Sequence, residues 1–295
     1  MVRKPPDDEC LYELELTRSI AQEIAIGHTG YQPSSDGKTY IQPEYTAHLL
    51  DNIAKANQRV LSKLRLSQTH DLPIPVQSNI SLDRFAELGA RDPDVAWPIY
   101  VALMKELSAL SSEETPRPPL FLSMDVADHV MGNSGYLDSN TKPVHAHDLA
   151  LVSHYFSYLS GKTKLPNGGL VVAALSESNA SRSPTLSHVV ATNYGMQTSW
   201  SELAWSPTAG WEAPRQPAWD PYAPFDQRVA DSLEGVEMWK LQGLSREEAK
   251  GVMEYYALSG MLRREVTDRL VSEKWTLSGG GVIGELERGA VRARI

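Results

Sequence analysis

With 295 residues, 41% of them hydrophobic and 22% charged, the chain has the composition of a globular protein long enough to bury a real core, which favours neither a disordered nor a fibrous class. A net charge of -9 argues against a large duplex-wrapping surface, because neutralising phosphates takes concentrated Lys and Arg, and confines any polyanion contact to local clusters. No apolar run approaches the roughly 18 residues that cross a bilayer, and a lone Cys10 excludes an intrachain disulfide and a cysteine zinc cluster, in keeping with a reducing interior or organelle matrix.

Residues 1–8 are short, Pro-bearing and acidic, unlike the Arg-rich amphipathic leader of an imported mitochondrial protein, so no import signal is read there. The weak alternation of residues 11–18 fits a strand, and Ile20, Ile24 and Ile26 fit a helix equally well, so this stretch stays open. From residue 44 to 66 the apolar positions Leu49, Leu50, Ile53, Val60, Leu61 and Leu64 recur at helical spacing opposite Asp51, Lys55, Arg59 and Lys63, which predicts one amphipathic helix with Pro43 in its first turn. Ser81 is placed to cap a short helix closed by Gly89, and Asp92-Pro93 opens another through Trp97, Leu103 and Leu107 that tolerates Pro98 near its start. Residues 111–119, polar and Pro-rich, make a loop.

Two apolar runs, 120–124 and 170–175, read as buried strands, each tipped by a polar group, Asp125 and Ser176. Leu149, Val152, Phe156 and Leu159 mark a helix between them, so residues 120–175 form a strand, helix, strand crossover of parallel type and the fold class is α/β. Residues 193–240 hold five of the seven tryptophans interleaved with prolines, an irregular insertion too aromatic for a flexible linker. Ser245 and Glu248 form a capping box for a helix ending at Gly260, a second helix covers about 265–272, and a last one runs from near Ile283 toward Arg294. The expected organisation is therefore a core over 1–192, the insertion at 193–240 and a helical subdomain over 241–295.

Few motifs carry chemistry. Gly37-Lys38-Thr39 and Gly161-Lys162-Thr163 invite a phosphate-loop reading, but Gln32 and Phe156 stand where the first glycine belongs, and neither site joins a buried strand to a helix. Gly279, Gly281 and Gly284 match the spacing of a dinucleotide fingerprint with only eleven residues following, so they read as a helix-entry turn. Asp125, at a strand's carboxyl end, is where P-loop proteins place a carboxylate near magnesium, and Ser176 could offer its hydroxyl to a phosphate; each is otherwise a turn residue satisfying its own backbone. His145, His147 and His154 read as surface histidines, with the first two on different faces if helical, and no nucleophile elbow or Cys and His pair supports hydrolysis. Arg263, Arg264 and Arg269, and Arg288, Arg292 and Arg294, are either solvated helix faces or local contacts with RNA or protein.

Several segments, in order, resemble fungal members of the death-associated-protein family of mitochondrial small-subunit ribosomal proteins. They are Gly27-His28-Thr29-Gly30-Tyr31, residues 42–47 and 52–57, Ala96-Trp97-Pro98, residues 120–125, Ala173-Ala174-Leu175-Ser176, and the runs 241–256, 272–281 and 284–289. The resemblance covers about residue 20 to the end. It implies an AAA-like P-loop NTPase fold with a helical C-terminal part, in the head of the mitochondrial small subunit near the large subunit. It also implies a structural guanine nucleotide, GTP or GDP with magnesium, with Asp125 on the magnesium side and Ser176 beside it. The implied partners are small-subunit proteins, rRNA and the large subunit across an intersubunit bridge, in the matrix and away from membranes. One departure stands out: this sequence shows no phosphate loop upstream of the match, so an incomplete P-loop NTPase fold is expected, with nucleotide affinity lost and the edge of residues 170–175 left unpaired and adhesive. A structural ribosomal protein, not an enzyme, is the leading expectation; the rivals are an NTPase-type apoptotic or signalling switch and a scaffold unrelated to ribosomes.

Overall fold

Pro43 presets the first helical φ of α1 (Pro43–Ala56), where its missing N–H is no loss, and the helix buries Tyr45, Leu49, Leu50 and Ile53. The computed structural model describes residues 12–15, 32–33, 39–112, 116–175, 183–203, 222–239 and 241–292, in two compact units, 1–237 and 238–295. The single helix expected over 44–66 is broken in two. Asn57 leaves helical geometry at φ -109°, ψ 15°, its Nδ2 donates to the Ile53 carbonyl at 3.2 Å, and a short α2 (Gln58–Leu61) follows. The chain then runs antiparallel to itself, the Leu66 N–H donating to Ile80 O and the Leu82 N–H to Leu64 O, both at 3.0 Å.

In α3 (Leu82–Arg91) and α4 (Pro93–Ser108) the apolar faces meet α1, with Phe85, Ile99 and Leu103 fully buried, each worth about 1.5–3 kcal/mol against exposure. Gly89 does not close α3, as the pattern suggested. A Cβ there would stand 2.5 Å from Leu50 Cδ1 and 3.0 Å from Ile99 Cγ2, so glycine permits the close crossing of α3 with α1 and α4. Asp92 caps α4 by accepting from the Asp94 N–H at 3.2 Å, and Pro98 sits in the second turn.

Glu106, on α4 and fully buried, ties this helical layer to its loops. Its carboxylate accepts from the Ser67 N–H (3.0 Å), the Ser67 hydroxyl (2.7 Å), the Gln68 N–H (3.0 Å), His70 Nε2 (2.8 Å) and Arg117 Nη2 (2.7 Å). Burial pushes the carboxyl pKa up, but the hydrogen bonds from Ser67, His70 and Gln68 outweigh it and leave Glu106 below its ordinary value.

The sheet is parallel, in the order β1 (Tyr12–Glu15), β4 (Leu120–Met124), β7 (Gly169–Ala173), after the two-residue strands β2 (Gln32–Pro33) and β3 (Tyr40–Ile41), which pair with each other. Tyr12 pairs with Leu120 and Leu120 with Gly169, which settles the open reading of residues 11–18 as a strand at this point. The central strand β4 is buried at Leu120, Leu122 and Met124. An antiparallel hairpin, β5 (Asn133–Leu137) and β6 (Pro143–His145), precedes the crossover helix α5 (Ala150–Leu159) and was not foreseen.

β7 corrects the expectation of a second buried strand. Leu170 is 56% exposed, and Val172 and Leu175 are also exposed: the register puts Leu170 beside Phe121 and Val172 beside Ser123, on the sheet face opposite the one that buries Leu120, Leu122 and Met124, and no strand pairs with the outer side of β7 among the described residues. Helix α6 (Pro184–Leu203) continues into the Trp- and Pro-rich stretch, so residues 193–203 are helical and not irregular; no proline occurs between Pro184 and Pro207 to stop it. Residues 204–221 lie outside the described residues, and α7 (Gln227–Ser232) follows.

In the second unit Ser245 and Glu248 complete both bonds of the capping box on α8 (Arg246–Leu258). The next helix, α9, spans Asp268–Leu277 in place of 265–272, because the Thr267 side chain accepts from the Leu270 N–H and sets the start. Helix α10 (Ile283–Glu287) passes into a π-helical turn, Arg288–Arg292. Ala249, Met253, Leu262, Leu270, Val271 and Leu286 form the core. The glycine turn holds Gly279, Gly280 and Gly281 at φ 71°, 87° and 86°, and Gly281 O accepts from the Leu244 N–H at 2.8 Å.

Candidate functional site

Open parallel sheets present ligands with the carboxyl ends of their strands, and here that end is built by the tips of β4 and β7. The two tips are bound to each other: the Ala174 N–H donates to Met124 O at 2.8 Å and the Ala127 N–H to Ala174 O at 2.9 Å. Behind them Tyr155 of α5 donates its hydroxyl to the Val172 carbonyl, and burial raises its pKa well above the usual phenol range, so it stays a donor.

Asp125 is exposed at this edge, and its Oδ1 accepts from the Val126 N–H at 2.9 Å. Val126 is left-handed, at φ 53° and ψ 40°, a conformation that a β-branched residue adopts only under constraint from its surroundings. The turn it makes delivers Ala127 to the β7 carbonyl and buries Asp128. Ser176, the other expected site residue, lies outside the described residues. Among the described residues no group of three His, Cys, Asp or Glu side chains is arranged to hold a metal ion.

The second glycine-lysine-threonine motif lies in the turn after α5, with Gly161 at φ 72°; Gly37 and Lys38 of the first lie outside the described residues. The histidines overturn the surface reading. His145 is buried, its Nδ1 accepts from the His147 N–H at 3.1 Å, and its Nε2 stands 3.2 Å from Asp226 Oδ2. The two rings are 5.2 Å apart edge to face, and His147 stacks on Phe156 at 4.8 Å, so they share one side of the fold. Asp226 caps α7, donates its N–H to Thr185 Oγ1 at 2.9 Å, and pairs with Arg228, which also reaches Asp148 at 2.9 Å. Burial lowers the His147 pKa to about 4, with the neighbouring His145 adding to the effect. His154 packs edge-on against Trp97, Tyr100 and Tyr158, and burial likewise lowers its pKa to about 4. These neutral imidazoles hold α7 and α5 in place. Helical periodicity could not reveal this, since His145 ends a strand and His147 lies in a 3-10 turn.

In the second unit Arg263 and Arg264 are exposed in the loop before α9, and Arg288 pairs with Glu285 at 2.9 Å. The side chains of Arg292 and Arg294 lie outside the described residues.

The family described as Mitochondrial ribosomal death-associated protein 3 matches residues 16–289. The Small ribosomal subunit protein mS29 of Neurospora crassa is 38% identical over 274 residues, 92% of this chain and 55% of that protein. The Small ribosomal subunit protein mS29 of Schizosaccharomyces pombe is 21% identical over 247 residues, 82% of this chain and 45% of that protein. The chain thus spans about half the length of the curated relatives it matches. A match that runs from residue 16, through both strand tips, to residue 289 covers nearly all of both units, and the chain belongs to the Mitochondrial ribosomal death-associated protein 3 family.

Proposed function

We propose that this protein is a structural constituent of the mitochondrial small ribosomal subunit, acting in the matrix as a ribosome component and not as an enzyme. The observation that carries the reading is the near-complete match to a mitochondrial ribosomal family together with relatives named as small-subunit proteins. In this reading residues 1–192 are an incomplete P-loop NTPase-like core, 193–240 an insertion and 241–295 a helical subdomain. Small-subunit proteins and rRNA are its partners, and a bridge to the large subunit belongs to the same proposal. Arg263, Arg264, Arg288, Arg292 and Arg294 are its candidate contacts with RNA or protein.

Tagged protein in sucrose gradients of mitochondrial extract is expected to sediment with the small subunit; protein confined to the top of the gradient would sink the proposal. Nucleotide is not part of it. With no three-ligand His, Cys, Asp or Glu group among the described residues, calorimetric titration with GTP and magnesium is expected to give no tight binding. Tight binding would favour the NTPase-switch alternative.

A further inference from the structure

The first unit is acidic overall but not uniformly so. Ten of the 28 Lys and Arg residues and eight of the 37 Asp and Glu residues fall in 238–295, leaving residues 1–237 at -11 and the second unit at +2. Within the acidic unit, residues 55–91 reverse the sign: Lys55, Arg59, Lys63, Arg65, Arg84 and Arg91 stand against Asp71, Asp83 and Glu87, a local +3. Lys55 is neutralised by Asp51 at 2.6 Å and Arg91 by Glu87 at 3.0 Å. Arg59, Lys63, Arg65 and Arg84 are exposed and have no carboxylate partner among the described residues.

The backbone gathers these four. Arg65 bridges to Ser81, the residue before α3, and Arg84 lies in the first turn of that helix. Lys63 and Arg59 are one turn back along the chain, where the Lys63 N–H donates to Val60 O at 3.0 Å at the end of α2. The platform is stiff. The Arg65 carbonyl accepts from Arg117 Nη2 at 2.5 Å, and Glu106 fixes the backbone of Ser67 and Gln68.

The face is mainly polar: no large hydrophobic side chain of residues 39–109 is exposed, the half-buried Val76, Ile80 and Leu88 line only a groove beside Arg84, and Gln58, Ser62 and Gln68 present amides and a hydroxyl beside the cations. The centre of a protein-docking face is depleted in charged residues, whereas here the cations are the centre, and a membrane face takes apolar insertion or a far larger charge. Guanidinium groups set among polar donors, with no exposed large hydrophobic side chain between them, match a phosphodiester backbone. We propose that residues 58–65 and the first turn of α3 form an RNA-binding surface, distinct from the C-terminal arginines, that holds the phosphodiester backbone through Arg59, Lys63, Arg65 and Arg84. The identity of that RNA as ribosomal rests on the function proposed above; the surface itself rests on charge and geometry.

The test uses the whole chain. A labelled RNA hairpin is titrated by fluorescence anisotropy at several salt concentrations with the unaltered protein and with the Arg59→Gln, Lys63→Gln, Arg84→Gln triple variant, whose thermal melt is expected to superimpose because all three side chains are exposed. Each lost phosphate contact removes about 0.7–0.9 from the slope of log affinity against log salt, so the triple variant is expected to lose about 2–3 and to bind at least about tenfold more weakly near 0.1 M salt. An unchanged slope and affinity would overturn the proposal, as would equal competition by polyglutamate or by phosphatidylserine vesicles. Should the triple variant fold poorly, the single Arg84→Gln variant is expected to lower the slope by about 0.7–0.9, and an unchanged slope there overturns it too. If Arg263→Gln, Arg264→Gln, Arg288→Gln instead removes all RNA binding while the first variant keeps it, this surface fails and the ribosomal reading stands. Loss of slope at this surface in a protein that does not sediment with the small subunit supports the surface and sinks the ribosomal reading.

Discussion

Replacing Glu106 by Gln keeps the side-chain shape and removes the charge at the point where α4, the 65–70 loop and the lead-in to β4 meet. Five donors converge on the carboxylate within 3.0 Å, and its partner Arg117 is as buried as it is, with side-chain exposures of 1% and 0%. The amide retains one acceptor oxygen but turns its nitrogen toward groups that are themselves donors. Breaking a buried ion pair from one side costs about 3–5 kcal/mol, a large part of the roughly 5–15 kcal/mol that holds a domain folded. With a urea dependence of about 3 kcal/mol per molar, the unfolding midpoint is expected to fall by at least about 1 M. Glu87→Gln, which breaks the exposed pair with Arg91, is the matched control and is expected to change stability by less than about 0.5 kcal/mol. Acid gives the same answer by another route. The folded pKa of Glu106 lies below the unfolded value near 4.5, so its contribution is complete above that pH and is lost as pH falls through the folded pKa; the Gln variant lacks this component of acid sensitivity. A loss below about 1 kcal/mol in urea, or an unaltered acid limb, would refute the reasoning.

Gly281→Ala puts a Cβ 2.2 Å from the Leu244 carbonyl oxygen at φ 86°, so the second unit is expected to lose more than about 2 kcal/mol while the first keeps its melt, as read by hydrogen exchange in α8 and α9. His147 is neutral when folded, with a pKa near 4 against 6.5 when unfolded, so it costs stability progressively as pH drops from about 6.5 to about 4; His147→Phe, stacked on Phe156, is expected to flatten that part of the stability profile. Leu170→Lys charges the open strand β7 and is expected to raise the concentration at which light scattering first detects aggregates without moving the melt; unchanged aggregation would show that this edge is not the adhesive element.

Local chemistry wrote much of this protein into its sequence. Pro43 and Pro93 open helices, the Ser245 and Glu248 box starts α8, the run 120–124 is a buried strand, and the crossover to a second parallel strand follows from two apolar runs with a helix between them. These signals survive because each depends on neighbours within about four residues or on a period that a strand or helix imposes by itself. The family was legible for a related reason: ordered segments keep their collinearity whatever the packing does.

Tertiary structure decided the rest. Residues 170–175 have the same apolar pattern as 120–124, yet β4 is central with one face buried and β7 is an edge strand with Leu170 and Val172 exposed, because burial depends on what packs against each face and not on hydrophobicity alone. Gly89 reads as a helix end until α1 and α4 are seen to cross within a methyl's breadth of it. Glu106 and His145 look like ordinary polar residues, and only contacts with Arg117, 11 positions away, and Asp226, far along the chain, turn them into buried fasteners. A sequence states which groups are present; desolvation and long-range charge, which depend on where the chain returns to itself, assign them their work.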